Sequence, residues 1–283
     1  MTTTFKLSRR EIGELRERLT EEGFLFKDLA YAHFQARGQG VVVAAYESGK
    51  VVVQGKGAGA FLDSFSLGAA PPTGPMVGSD ESGKGDYFGP LVVAAVYVLP
   101  DQVADLTRAG VRDCKSMSDS AIMKAAVAIR SLCEHAVIAL DPPAYNAQHE
   151  TDGNVSIFLA DMHADAIAQA LGGKSAKIVI DQFTTVARLK KALKDHGVSG
   201  ETDIRHKAED NPAVAAASVL ARAEFLIRLR EAGHEYGVTL PKGAGAPVDR
   251  MARRLYQEFG IESLRALAKT HFRTTQKATE RLF

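Results

Sequence analysis

Between Leu67 and Pro75 the chain reads Leu-Gly-Ala-Ala-Pro-Pro-Thr-Gly-Pro. Its prolines forbid a helix and supply no donors to a β-ladder, so no regular element crosses this stretch. A chain of 283 residues interrupted in this way builds two cores rather than one. The expected organisation is a small unit over residues 1–66, a linker over 67–76 and a large unit over 77–283.

In the small unit, Ser8 stands three residues before Glu11, the spacing of a capping box. Ile12, Leu15 and Leu19 then recur at helical intervals until Gly23 offers a C-cap. Short β-prone runs follow at Ala30 to Ala36, Val41 to Tyr46 and Val51 to Gln54, the last two joined through a turn at Glu47 to Lys50. A small helix-plus-sheet module is predicted.

In the large unit, Met76 to Glu81, Leu91 to Leu99, His135 to Leu140 and Lys177 to Asp181 read as buried strands. Helical patterns cover Val155 to Leu171, Thr185 to Asp195, Pro212 to Ala232, Asp249 to Gly260 and Ile261 to Lys269. Strands first, then alternation with helices, predict a mixed α/β sheet flanked by helices.

Several classes are excluded. With 46% hydrophobic and 24% charged residues the chain is neither collagenous, mucin-like nor disordered. Its longest apolar run, Leu91 to Leu99, falls far short of the roughly 20 residues that cross a bilayer. The opening Met-Thr-Thr-Thr-Phe-Lys lacks the apolar core of a secretory signal. Two cysteines, Cys114 and Cys133, make neither a disulfide framework nor a Cys-rich zinc site. A cytoplasmic location is the expectation. The net charge of +1 advertises no nucleic-acid partner globally. From Lys242 onward, however, nine Lys and Arg face four acids, which fits either a solvated helical face or a phosphate-binding patch.

The most informative stretch is Gly78-Ser79-Asp80-Glu81-Ser82-Gly83-Lys84-Gly85-Asp86-Tyr87-Phe88-Gly89-Pro90. Adjacent carboxylates at the end of an apolar strand each cost several kcal/mol to desolvate unless a cation or donors compensate. Side chains of consecutive strand residues point to opposite faces, so Asp80 and Glu81 converge on one ion only where the strand frays or bulges. Gly83 and Gly85 would let the backbone approach a ligand and aim N–H groups at its oxygens. The competing reading is an acidic surface turn before a glycine loop. Neither a Walker pattern nor a dinucleotide fingerprint is present.

Asp181 closes a second buried run, where α/β active sites and helix caps both place acids. Glu209 and Asp210 precede an alanine-rich helix and could serve only its dipole. Together these acids fit one chemistry better than separate structural roles. Hard oxygen ligands without Cys or paired His select Mg²⁺ or Mn²⁺, and two such ions can activate a water and stabilise the leaving oxygen of a phosphodiester.

Asp80 to Pro90 strongly resembles the signature of type 2 ribonucleases H, and its Asp-Tyr-Phe-Gly-Pro portion resembles the ribonuclease HIII branch. Asp113 to Asp119 is similar to a second family segment, with Cys114, Ser116 and Met117 departing from the usual Ser, Lys and Leu. Ile180 to Phe183, Lys207 to Glu209, Leu240 to Gly245 and Lys269 to Phe272 follow the family in order, so the resemblance spans residues 77 to 280.

The resemblance implies a ribonuclease H-like mixed sheet preceded by a small α+β domain resembling the TATA-box binding protein fold, a module that would hold substrate and that bacterial ribonuclease HII lacks. It places the four metal-binding carboxylates on Asp80, Glu81, Asp181 and Glu209. It places the ribose-sensing tripeptide on Gly83, Lys84 and Gly85, in keeping with the 2′-hydroxyl as the mark of RNA. Lys207 would either hold the scissile phosphate or offset the acids. Asp86 and Asp113 read as turn caps or as extra ligands, His206 as a local donor or a phosphate contact, and His271 as core or as a product neighbour. The implied activity is an endoribonuclease that cuts the RNA strand of RNA/DNA hybrids with two Mg²⁺ or Mn²⁺ ions and leaves 5′-phosphate and 3′-hydroxyl ends. No membrane and no obligate protein partner are implied. The alternatives are ribonuclease HII-type incision at single ribonucleotides in DNA and non-catalytic hybrid binding.

Overall fold

A computed structural model describes residues 2–64, 74–111, 114–206 and 208–280. The chain forms two compact units, Met1–Ala70 and Pro71–Phe283. Most of the predicted linker, together with Asp113 and Lys207, lies outside the described residues.

The small unit runs β1 (Thr2–Lys6), α1 (Arg9–Glu21), β2 (Leu25–Lys27), β3 (Ala32–Gly38), β4 (Val41–Tyr46), β5 (Lys50–Gly55) and α2 (Ala58–Ser64). The capping box forms as the Ser8–Glu11 spacing predicts, and Gly23 ends the helix at φ 76°. The strands pair antiparallel in the order β1-β5-β4-β3-β2. Alternation sends Val51, Val53, Val41, Val43, Ala45, Phe34 and Ala36 onto Ile12, Leu15 and Leu19. The opposite face carries Lys6, Lys50, Gln54, Arg37 and Lys27. Strands β1 and β2 escape the sequence reading because β1 is mostly threonine and β2 is only three residues long.

In the large unit β6 (Met76–Ser82) and β7 (Leu91–Val98) precede α3 (Val103–Arg108), α4 (Asp119–Leu132), β8 (Glu134–Leu140), α5 (Pro142–Asp152), α6 (Val155–Leu171), β9 (Lys177–Asp181), α7 (Val186–Asp195), β10 (Thr202–Arg205), α8 (Pro212–Glu235), α9 (Ala246–Phe259), α10 (Ile261–Leu267) and α11 (Arg273–Thr279). The sheet order is β10-β9-β6-β7-β8, with β6, β7 and β8 antiparallel and β9 and β10 parallel to β6. The four strands read from sequence are the four inner or strongly apolar ones. The fifth, β10, is a four-residue edge, Thr-Asp-Ile-Arg, with no apolar signal of its own.

Inner strand β7 is buried on both faces and so reads as an unbroken apolar run. Val92, Ala94, Val96 and Val98 pack towards α8, α4 and α9, while Leu91, Val93, Ala95 and Tyr97 pack towards α6 and α7. Helix α8 is clasped between the sheet and its neighbours and is apolar over most of its surface. Its small residues let it come very close to the sheet: a Cβ on Gly78 would lie 2.3 Å from the backbone nitrogen of Val214. Among the described residues no helix is long and apolar enough to cross a membrane.

Candidate active site

Strands β6, β9 and β10 run parallel, so their C-terminal ends share one edge of the sheet. Asp80 and Glu81 lie at the end of β6. Asp181 ends β9, opposite Arg205 of β10. Glu209 follows β10 in a single 3₁₀ turn, Ala208–Asp210, and the backbone N–H of Ala208 donates to Oδ1 of Asp181 at 3.4 Å. The fold therefore carries all four sequence-predicted acids to the same end of the sheet, a common site location in α/β proteins.

Within that end they divide. The predicted fraying or bulge of β6 does not occur: Asp80 pairs with Ala94, Glu81 with Val93 and Ser82 with Val92 in unbroken register. A regular strand turns consecutive side chains to opposite faces. Asp80 thus faces α8 on the side of Ser218, and its Oδ1 accepts the Glu81 N–H at 2.8 Å. Asp181 shares the parity of Val179, which packs with Ala208 and Val214 on that same face. Glu81 faces α6.

Burial pushes the Asp80 carboxyl up to about 7, and the neighbouring Glu81 and Asp181 charges add to the effect, against hydrogen bonds from the Glu81 N–H and Ser218. Burial would also raise Glu81, but the His163 ring and the Lys84 ammonium outweigh it and hold this carboxyl below its ordinary value. Lys84 Nζ stands 3.4 Å from Glu81 Oε1. Glu209 Oε1 accepts from Lys115 Nζ at 3.2 Å. Among the described residues no group of three or more His, Cys, Asp or Glu side chains is already arranged about one point as a metal cage. Like charges in a confined corner are instead held apart by their separate counter-groups.

The glycine loop leaves β6 at once. Gly83 has φ 92°, whereas a Cβ on Gly85 would meet nothing within 4 Å. Asp86 acts within the fold, its Oδ1 accepting the N–H of Gly243 at 2.6 Å and its Oδ2 standing 3.8 Å from Arg222. His271 stacks on His149, with ring centroids 4.0 Å apart, and burial, His149 and Lys269 lower it to about 4. His206 lies in an exposed turn. Neither Cys114 nor Cys133 is in a disulfide, and Cys114 Sγ accepts from Ser218 Oγ at 2.9 Å.

The C-terminal cations are largely engaged within the unit. Lys242 pairs with Asp119, Arg254 with Glu258, Arg265 with Glu262 and Lys277 with Asp249. Arg253 donates to the Lys277 carbonyl, and Lys269 is fully buried. The paired cations, unlike Lys269, are solvent-exposed, as a solvated helical face has them.

Four residues at the site were not singled out from sequence: Ser79, Lys115, His163 and Ser218. Ser79 and Ser218 are polar positions inside otherwise apolar runs, a signal present but common. His163 sits mid-helix among alanines, where only tertiary packing reveals what it touches.

Comparison with known proteins adds the class. The family model described as Ribonuclease HII matches residues 77–275, and a domain of unknown function, DUF3378, matches residues 2–71. Ribonuclease HIII of Protochlamydia amoebophila is 35% identical over 274 residues, covering 92% of this chain and 91% of that one. Ribonuclease HIII of Streptococcus pneumoniae is 38% identical over 253 residues, 85% of each. The crystal structure of Bst-RNase HIII in complex with Mn²⁺ superposes with a TM-score of 0.71 at 33% identity, over 98% of both chains.

Fold and relatives together define a metal-dependent ribonuclease, a hydrolase of the type 2 ribonuclease H class. The length of the match, small unit included, is decisive within that class. The chain belongs to the ribonuclease HIII family. Its cofactor is a divalent cation, Mg²⁺ or Mn²⁺, and the donor set fits one: four carboxylates share this end of the sheet, and burial beside Glu81 and Asp181 makes Asp80 hard to ionise without a cation.

Proposed function

We propose that this protein is an endoribonuclease that cuts the RNA strand of RNA/DNA hybrids, with Asp80, Glu81, Asp181 and Glu209 as the metal-binding carboxylates. The observation that carries the reading is that the topology brings all four acids to the C-terminal end of β6, β9 and β10, beside a glycine loop. When bound there, two divalent ions would supply the Lewis acidity that activates water and stabilises the leaving oxygen, giving 5′-phosphate and 3′-hydroxyl ends. The chain's own residues hold that arrangement. The Glu81 N–H orients Asp80, the Ala208 N–H orients Asp181, and Lys115 and Lys84 restrain Glu209 and Glu81.

Gly83, Lys84 and Gly85 follow directly from the acids and are the residues assigned to the ribose 2′-hydroxyl, with Lys207, two positions before Glu209 in the sequence, assigned to phosphate. The open face of the small unit's sheet, with Lys6, Lys27, Arg37 and Lys50, suits the backbone of a nucleic-acid duplex. This supports residues 1–66 as a substrate-binding domain joined through 67–76 to the catalytic unit, in a cytoplasmic enzyme.

The test is cleavage of labelled RNA annealed to DNA, with and without divalent metal. Asp181→Asn is expected to abolish cleavage while hybrid binding persists. Wild-type turnover in that variant would remove the metal assignment. A duplex with one embedded ribonucleotide, assayed in parallel, separates hybrid cleavage from ribonuclease HII-type incision.

A further inference from the structure

His163 lies on α6 with 1% of its surface exposed and meets β6 at two positions of the same face. Its Nδ1 is 2.8 Å from Ser79 Oγ, and its Nε2 is 3.3 Å from Glu81 Oε2. Residues i and i+2 of a strand share a face, so one ring spans both. A third contact sets the ring's plane: Phe183, two residues past Asp181, stacks on it with centroids 4.6 Å apart at 30°. Lys84 Nζ stands 5.1 Å from the Phe183 ring centroid while reaching Glu81 Oε1.

We propose that His163 is the positioning residue of Glu81, a buried post that fixes the carboxylate for metal binding through the chain Ser79–His163–Glu81. The inference rests on the reading of Glu81 as a metal ligand. A glutamate at a strand end has three rotatable bonds, and a ligand must be held to a fraction of an ångström to bind an ion well. Lys84 alone cannot do this, because its own long side chain is partly exposed. His163 can, since Phe183 and Ser79 leave its ring no freedom. We assign the Ser79 hydroxyl as donor to Nδ1, which puts the ring hydrogen on Nε2, facing Glu81. A histidine serving only the core would be complete with the Ser79 bond. Here the second nitrogen is buried, forms no hydrogen bond of good geometry, and has the Glu81 carboxylate 3.3 Å away as its polar neighbour. Through Phe183 the same ring braces the loop after Asp181, so one side chain couples two of the acids.

Mn²⁺ binding to the full chain, measured by titration calorimetry, tests this with Glu81→Gln as reference. Outer residues that orient metal ligands change affinity by about 10–100-fold when replaced. His163→Phe, which keeps the stack on Phe183, is expected to raise the Mn²⁺ Kd at least about tenfold. It should also lower kcat on a hybrid while leaving KM for the hybrid within about twofold. Ser79→Ala should shift the Kd in the same direction by less, and His163→Gln, whose amide can still reach Glu81, should recover part of the loss. If His163→Phe does not fold, Ser79→Ala decides. Wild-type Kd in the folded His163→Phe or Ser79→Ala variant, with Glu81→Gln weakened, overturns the positioning role and leaves the metal site standing. Wild-type Kd in Glu81→Gln removes Glu81 as a ligand and the positioning role with it.

Discussion

Gly83 sits so close to Pro90 that a Cβ on the glycine would stand 2.1 Å from the proline's carbonyl oxygen. The two ends of the glycine loop thus meet backbone to backbone, over the ring of Phe225. With φ at 92° as well, Gly83→Ala faces both a clash and a strained conformation. It is expected to destabilise the large unit by several kcal/mol, of the order seen for incompatible backbone substitutions, or to prevent folding. Gly85→Ala has open space and should fold normally. If Gly85→Ala nevertheless loses hybrid cleavage with an unchanged Tm, its backbone works by close approach to substrate. Unchanged kcat/KM in that variant would remove Gly85 from the ribose contact.

Asp80 yields a prediction with a definite sign. Its carboxyl, pushed up to about 7 from an ordinary 3.8, binds its proton more tightly folded than unfolded. Stability therefore falls as pH rises from about 4 to about 7, and the penalty is complete above that. At about 1.4 kcal/mol per pKa unit, the effect is a few kcal/mol at most. With divalent ions chelated, Asp80→Asn should be more stable than wild type at about pH 8, and the gap should close towards pH 4. Added Mn²⁺ should reverse the order, because an ion that binds only the folded wild type stabilises it by mass action. Parallel stability curves for the two proteins across that range would refute the assignment.

What sequence could show and what it could not follow from the reach of each signal. The Ser8–Glu11 box, the run Leu91 to Val98 and the acids ending β6 and β9 are local patterns, legible wherever they occur. The edge strand β10 owes its existence to pairing with β9, so its four half-polar residues announce nothing. Asp80 and Glu81 were recognisable as a pair. Their division between α8 and α6 depended on whether β6 stays regular, which Val92 and Val93 on the neighbouring strand determine. His163 lies 84 residues from its partner Ser79, and no local rule connects them.

Lys269 is buried without exposed surface and ends on the carbonyl oxygens of Asp86 at 2.9 Å and Gly89 at 2.6 Å. Backbone bonds from Lys269 to Tyr87 and from Gly89 to Leu267 tie the same segments. Burial lowers its ammonium to about 7 from an ordinary 10.5, against the pull of Asp86. Between those values the unfolded chain binds more protons than the folded one, so stability should rise with pH from about 7 to about 10. Lys269→Met should abolish this rise and, by leaving two carbonyls unpaired, cost about 1–3 kcal/mol apiece at most. Urea unfolding across that pH range compares the two. A rise of equal slope in Lys269→Met would assign the effect to another group.

The open face of the small unit supplies the last test. Lys6 pairs across the sheet with Lys50, and Arg37 and Lys27 lie on the same face, away from the core of Val51, Val53 and Ile12. Like charges placed side by side on a sheet are unfavourable by themselves, and an anionic partner relieves them. A duplex backbone would do so with release of its counterions, and each phosphate neutralised contributes about 0.9 to the slope of log affinity against log salt. Replacing Lys6, Lys27, Arg37 and Lys50 by Ala should therefore raise KM for a long hybrid and flatten its salt dependence by about 1 for every phosphate no longer neutralised. It should leave kcat unchanged, since the acids sit in the other unit. An unaltered salt slope in the fourfold variant would show that this face does not carry the hybrid.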